Sequence, residues 1–170
     1  LKPADPEAHF YLGVVLAGLG QLDSGILSFQ EAIRLAPSYS AAHVAMGNAQ
    51  VEQGRFEGAI TSYRHALEIN PGDIESMVNL GNALSELGRT EEAIATFRQA
   101  INRDPRFLGA YHNLGHALLD LGRIVEAIDV YRIALRTAPD HPVVLADLGV
   151  ALALQNNHDE ATACYLRVLE

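Results

Sequence analysis

His112 and His116 are the two residues whose spacing best suits coordination chemistry. On a helix an i, i+4 pair presents both imidazoles on one face, where they can hold a divalent metal between them. A third donor has to come from Asp120 or from another part of the chain, and the sequence offers no HExxH motif and no closed four-ligand set. The two histidines are therefore read as surface residues, with no cofactor expected and with His112 and His116 kept as the candidate metal pair. A second group is formed by Asn48, Asn79, Asn82 and Asn113. An amide side chain donates and accepts together, so such residues can grip a peptide main chain without reading its side chains. A third is the acidic series Glu52, Glu86 and Asp120, which recurs every 34 residues (86−52, 120−86). Motifs for covalent or phosphoryl chemistry are missing: there is no GxSxG, no GxxxxGK[ST] and no cysteine pair. The expectation is no catalytic residues and a chain that is not an enzyme.

The elements that carry these side chains repeat with the same spacing. Gly13, Gly47, Gly81, Gly115 and Gly149 stand 34 residues apart, as do Pro3, Pro37, Pro71, Pro105 and Pro139. A fixed period of this size marks a stack of supersecondary units. If Ile74 is position 1 of the unit, Met77, Leu80, Gly81 and Leu84 form an i, i+3, i+4, i+7 stripe. Asp73 precedes it as an N-cap, and Gly88 ends it as a residue able to take positive φ. A second stripe, Ala93, Ile94, Phe97, Ala100 and Ile101, follows Glu91 and Glu92 and stops at Pro105. Each unit is thus a helical hairpin, predicted near 7–19 and 23–36 in the first unit. Neither helix can bury its stripe alone, so hairpins must stack.

This pattern resembles the tetratricopeptide repeat. Position 7 reads Leu12, Met46, Leu80, Leu114 and Leu148, and position 24 reads Phe29, Tyr63, Phe97, Tyr131 and Tyr165. Position 20 is Gly25 and then Ala59, Ala93, Ala127 and Ala161; position 27 is Ala32, Ala66, Ala100, Ala134 and Val168. Departures are Gly25, Gln50 at position 11, Val168, Asn156 at the turn glycine, and the lack of Trp at position 4. The resemblance implies an all-α fold, a right-handed superhelical solenoid of antiparallel helix pairs. It divides the chain into 1–5 as the tail of a preceding repeat, full units at 6–39, 40–73, 74–107 and 108–141, and a truncated fifth unit at 142–170. A start inside one repeat and a stop inside another lead to the expectation of a fragment of a longer array or protein.

In arrays of this family the first helix of each unit also faces a concave groove that takes ligands. Carried over position by position, the groove residues are Val44, Asn48, Glu52, Val78, Asn79, Asn82, Glu86, His112, Asn113, His116, Asp120 and Asp147. The resemblance implies a non-catalytic scaffold that binds an extended peptide or a partner helix there. The alternative is the substrate-selecting region of a larger enzyme such as a glycosyltransferase. The repeats of O-linked N-acetylglucosamine transferases carry an asparagine ladder to which Asn79 and Asn113 correspond, although Tyr11, Ala45 and Asp147 interrupt it here.

Composition narrows the partner. The net charge is −9, and Lys2 is the only lysine beside eleven arginines. That balance disfavours nucleic acid, whose binding needs dense positive charge. No apolar run is long enough for a membrane span, and LKPADPEAHF does not read as a signal peptide. A protein or peptide partner of neutral to basic character is expected, with self-association through the uncapped face of Tyr165, Val168 and Leu169. Rows of arginine (Arg55, Arg89, Arg123 and Arg64, Arg98, Arg132) are expected to pair with Glu57, Glu91, Glu92 and Glu126. Cys164, His9 and His43 occupy packing positions.

Overall fold

A computed structural model describes residues 5–169; Leu1, Lys2 and Pro3, expected as the tail of a preceding repeat, lie outside them. The described residues form ten helices and no strand. The odd-numbered helices are α1 (Pro6–Gly18), α3 (Ser40–Glu52), α5 (Ile74–Glu86), α7 (Leu108–Asp120) and α9 (Pro142–Leu154). The even-numbered ones are α2 (Leu22–Leu35), α4 (Phe56–Ile69), α6 (Thr90–Arg103), α8 (Ile124–Thr137) and α10 (His158–Leu169). The first pair begins and ends one residue before the predicted bounds, because Pro6 and Leu22 already take helical geometry.

The helix ends follow from identifiable residues. Asp5 Oδ1 accepts from the backbone N–H groups of Glu7 (3.1 Å) and Ala8 (3.5 Å), and Asp73 caps Ser76 in the same way. The turns after α1, α3, α5 and α7 each contain a glycine with φ between 71° and 76° (Gly20, Gly54, Gly88, Gly122), where a Cβ would be strained. Asn156 takes that place after α9 at φ 64°, as the side chain that best tolerates the left-handed region.

Packing divides the chain into two compact units, one ending at Leu87 and the other starting at Gly88. In the first, α1 pairs with α2 and α3 with α4, α2 lies on α3, and α4 carries α5. Phe29 and Tyr63 are almost completely buried at its centre. Gly13 and Gly47 are what make room for them: a Cβ would stand 2.5 Å from Phe29 Cε1 and 2.7 Å from Tyr63 Cε1. Gly25 also marks a close approach, its missing Cβ falling 3.1 Å from the Gly13 carbonyl. Gln50 stands where the other units have leucine, and its Oε1 accepts from the Ser62 hydroxyl at 2.7 Å. Its polar head is thereby satisfied at a packing position.

In the second unit, α7 pairs with α8 and α9 with α10, while α6 lies on α7 and α8 on α9. Tyr131 fills the space left by Gly115, and Tyr165 that left by Gly149. Cys164 is buried, and burial pushes its thiol pKa up, so it packs as a small apolar group. His43 is buried and bonded through Nε2 to the Pro37 carbonyl (3.1 Å), while His9 is half-buried. In this unit the arginines of both rows are paired. Arg98 reaches Glu126 (3.2 Å) and Arg132 reaches Glu160 (2.8 Å), each from one hairpin to the next. Arg89 pairs with Glu92 and Arg123 with both Glu126 and Glu91. The Arg123 hydrogen bond holds the Glu126 carboxyl below its ordinary range.

Candidate functional site

The first unit presents an open cavity of about 650 Å³. Asn48 and Glu52 reach it from α3, and Asn79, Asn82 and Glu86 from α5; Val51, Phe56, Tyr63 and Ala83 supply its apolar part. Five of the residues proposed from sequence are therefore brought together. Val44 is half-buried and Val78 buried, and neither lines the cavity. Helical geometry explains the gathering: residues four apart share a face, so Asn48 and Glu52 stand one above the other, as do Asn82 and Glu86.

Tyr63 connects this cavity to the core. Its ring is 2% exposed, yet its hydroxyl donates to Asn48 Oδ1 at 2.7 Å. Asn79 Nδ2 donates to the same oxygen at 3.4 Å. Asn48 is thus oriented by two donors. Burial pushes the Tyr63 phenol up to about 12, so it stays a neutral donor through the physiological range. Sequence reasoning placed Tyr63 in the packing stripe alone. The available signal was the choice of Tyr at position 24, since a buried Tyr keeps a polar tip that needs a partner.

The second unit brings a different set together. His112 Nδ1 lies 2.6 Å from Asp147 Oδ2, and His116 Nε2 lies 3.3 Å from Asp147 Oδ1. The two imidazole centroids are 4.5 Å apart. Asp147, 12% exposed, comes from α9 and supplies the third group that sequence spacing also allowed to be Asp120. Asp120 is exposed at the end of α7 and stands outside the cluster; Asn113 is half-buried on the same helix. Tyr131, on α8 of the same unit, is fully buried, and its hydroxyl has no hydrogen-bond partner among the described residues. Burial first, then the charges of Asp147 and Asp120, raise its pKa.

The two sites are one geometric motif with different side chains. Asn79 meets Asn48 across 31 residues, and Asp147 meets His116 across the same 31. The repeat sets the first-helix face of one hairpin against that of the next, and the sequence chooses what stands there.

Comparison with known proteins agrees with this geometry. The sequence profile described as "Tetratricopeptide repeat" matches residues 78–142 and 112–170, a second profile of that description matches 6–39, and one described as "TPR repeat" matches 47–88. No curated protein matches the chain. Among solved structures, the fold is similar to a crystal structure of MamA, with TM-score 0.83 and 21% identity over 92% of each chain. It is similar to YrrB, described as a TPR protein with an unusual peptide-binding site, with TM-score 0.77 and 19% identity over 99% of this chain and 87% of that one. PilF of Pseudomonas aeruginosa gives TM-score 0.80 and 22% identity over 96% of this chain and 75% of that one. At these identities the likeness shows the fold.

Proposed function

This chain belongs to the tetratricopeptide repeat family of protein-interaction scaffolds, and we propose that it binds an extended, neutral-to-basic peptide segment in the cavity of its first unit. The observation that carries the reading is the joint presence of oriented amides and carboxylates around an apolar floor. Asn48 and Asn79 offer a donor and an acceptor to a peptide main chain, while Val51, Phe56 and Ala83 receive an apolar side chain. Glu52 and Glu86, both exposed, bring negative charge to the rim. Rim charges act mainly on the rate of encounter and on its salt dependence, whereas fixed hydrogen bonds act on dissociation. The role is recognition without catalysis.

A surface-immobilised chain probed with extended peptides of net positive, neutral and net negative charge tests this. Positive peptides should associate fastest at low salt, and Glu52→Gln with Glu86→Gln should slow them and flatten the salt dependence. Asn79→Ala should speed dissociation instead. Equal binding of all three peptide classes, or association indifferent to the double glutamine variant, would overturn the proposal.

A further inference from the structure

The geometry points to a transition-metal site on the second unit: we propose that His112, His116 and Asp147 bind one zinc-class divalent ion. Three observations support it. The ligand atoms converge, since one nitrogen from each imidazole and the Asp147 carboxylate lie within 4.8 Å of one another. The donors come from two helices packed together, α7 and α9, rather than from a loop. Their backbone is held by the core on either side: His112 follows buried Tyr111, His116 lies between buried Gly115 and Ala117, and Asp147 precedes buried Leu148. Sites built on such rigid elements keep their geometry.

These are joined by an observation of specificity. The corresponding juncture of the first unit holds Val44, Asn48 and Asn79, which share the spacing but give no anionic or imidazole donor. Its counterpart at the start of the chain, Phe10, Val14 and Ala45, has none either. Only between α7 and α9 are all three places taken by metal-binding side chains among these three junctures. The repeat supplies the geometry there, and the ligand chemistry is an addition to it.

The donor set selects the ion. Two imidazoles and one carboxylate are the ligands of open zinc sites, with a water or a partner's donor in the fourth place. The same nitrogens favour Ni²⁺ and Cu²⁺, whereas Ca²⁺ and Mg²⁺ require mostly oxygen ligands. Ligand atoms of a tetrahedral site stand about 3.3 Å apart, from bond lengths near 2.0–2.1 Å. The 3.3 Å between His116 and Asp147 already matches that, and the 2.6 Å His112–Asp147 contact has to lengthen by about 0.7 Å when an ion enters.

The chain, stripped with a chelator and titrated with zinc chloride against a chromophoric competitor, should bind one equivalent at this site. Cobalt should give the visible absorption of a tetrahedral nitrogen–oxygen site, and calcium and magnesium should not compete. Separate His116→Ala and Asp147→Asn variants, each confirmed helical by circular dichroism, should lose affinity by more than the about 10- to 100-fold that follows loss of an outer partner. His65→Ala, at an exposed imidazole that lies beside the ring of buried His43, should change nothing. Saturating zinc should raise the unfolding midpoint of the parent and leave that of His116→Ala in place. No uptake at one equivalent, or uptake unaffected by both variants at the site, would overturn the assignment.

Discussion

Gly47→Ala is the sharpest test of how the core and the cavity are joined. A methyl group on Gly47 would stand 2.7 Å from Tyr63 Cε1 and 3.0 Å from Cδ1 and Cζ, where a comfortable carbon–carbon contact is about 3.5–4.0 Å. Tyr63 is 2% exposed and tethered through its hydroxyl to Asn48, so the ring yields only by repacking and stretching that bond. Overpacking of this kind costs about 1–3 kcal/mol, and the weakened hydrogen bond adds about 1 kcal/mol. Against this, alanine in a helix gains about 1 kcal/mol over glycine. The net loss is about 2 kcal/mol, which for a chain of this size lowers the thermal midpoint by about 4–8 °C. Thermal and urea unfolding followed by circular dichroism measure it. Tyr63→Leu introduced beside Gly47→Ala should recover part of the loss, giving a coupling that separate effects do not show. If Gly47→Ala equals or exceeds the parent in stability, or if the two changes simply add, the proposed wedge between glycine and ring is wrong.

Stability should also fall as pH rises from about 10 to 12: the Tyr63 phenol ionises near 10 when unfolded and is pushed up to about 12 in the fold. Below both values it is neutral in both states and its full contribution is present; above the unfolded value the unfolded chain loses the proton first. Two pKa units correspond to about 2–3 kcal/mol, and Tyr63→Phe should flatten that part of a urea-midpoint profile. Gly122→Ala, at φ 71°, should cost about 1–2 kcal/mol by left-handed strain, whereas Asn156→Gly, at φ 64°, should leave the thermal midpoint unchanged or raise it. Tyr165, Val168 and Leu169 are all exposed on α10, so sedimentation velocity should show concentration-dependent self-association, reduced by Leu169→Glu; a monomer at every concentration contradicts it.

The fold was legible because its determinants are local and recur. A glycine facing an aromatic ring, a capping aspartate and a turn residue with positive φ each leave a mark at a fixed interval, and Asn156 could be recognised as a turn residue from its place alone. The cavity was only partly legible. Helical periodicity sorted Asn48, Glu52, Asn79, Asn82 and Glu86 onto one face, but it assigns a whole residue to a face. Tyr63 belongs to two places, with its ring in the core and its hydroxyl at the cavity, and periodicity has no means of dividing a side chain. Val78 shows the reverse error: it shares the face by angle yet is covered, because angle around one helix does not tell where the neighbouring helix ends. The choice between Asp120 and Asp147 as companion to the histidines needed the distance between two helices, which no spacing within one helix contains.

The juncture formed by two first helices has an evolutionary consequence. Its side chains stand beside the packing positions, and apart from Asn48, which is tied to buried Tyr63, they can be exchanged with little effect on the recurring contact of glycine against ring. Duplication or loss of one whole 34-residue unit would keep the recurring contact of glycine against ring while changing the order in which junctures follow one another (for the interval, 147−113 or 82−48). Amide and imidazole–carboxylate chemistries then behave like interchangeable tiles on a common frame, and a lineage could acquire a new recognition order by recombination before any single tile had changed.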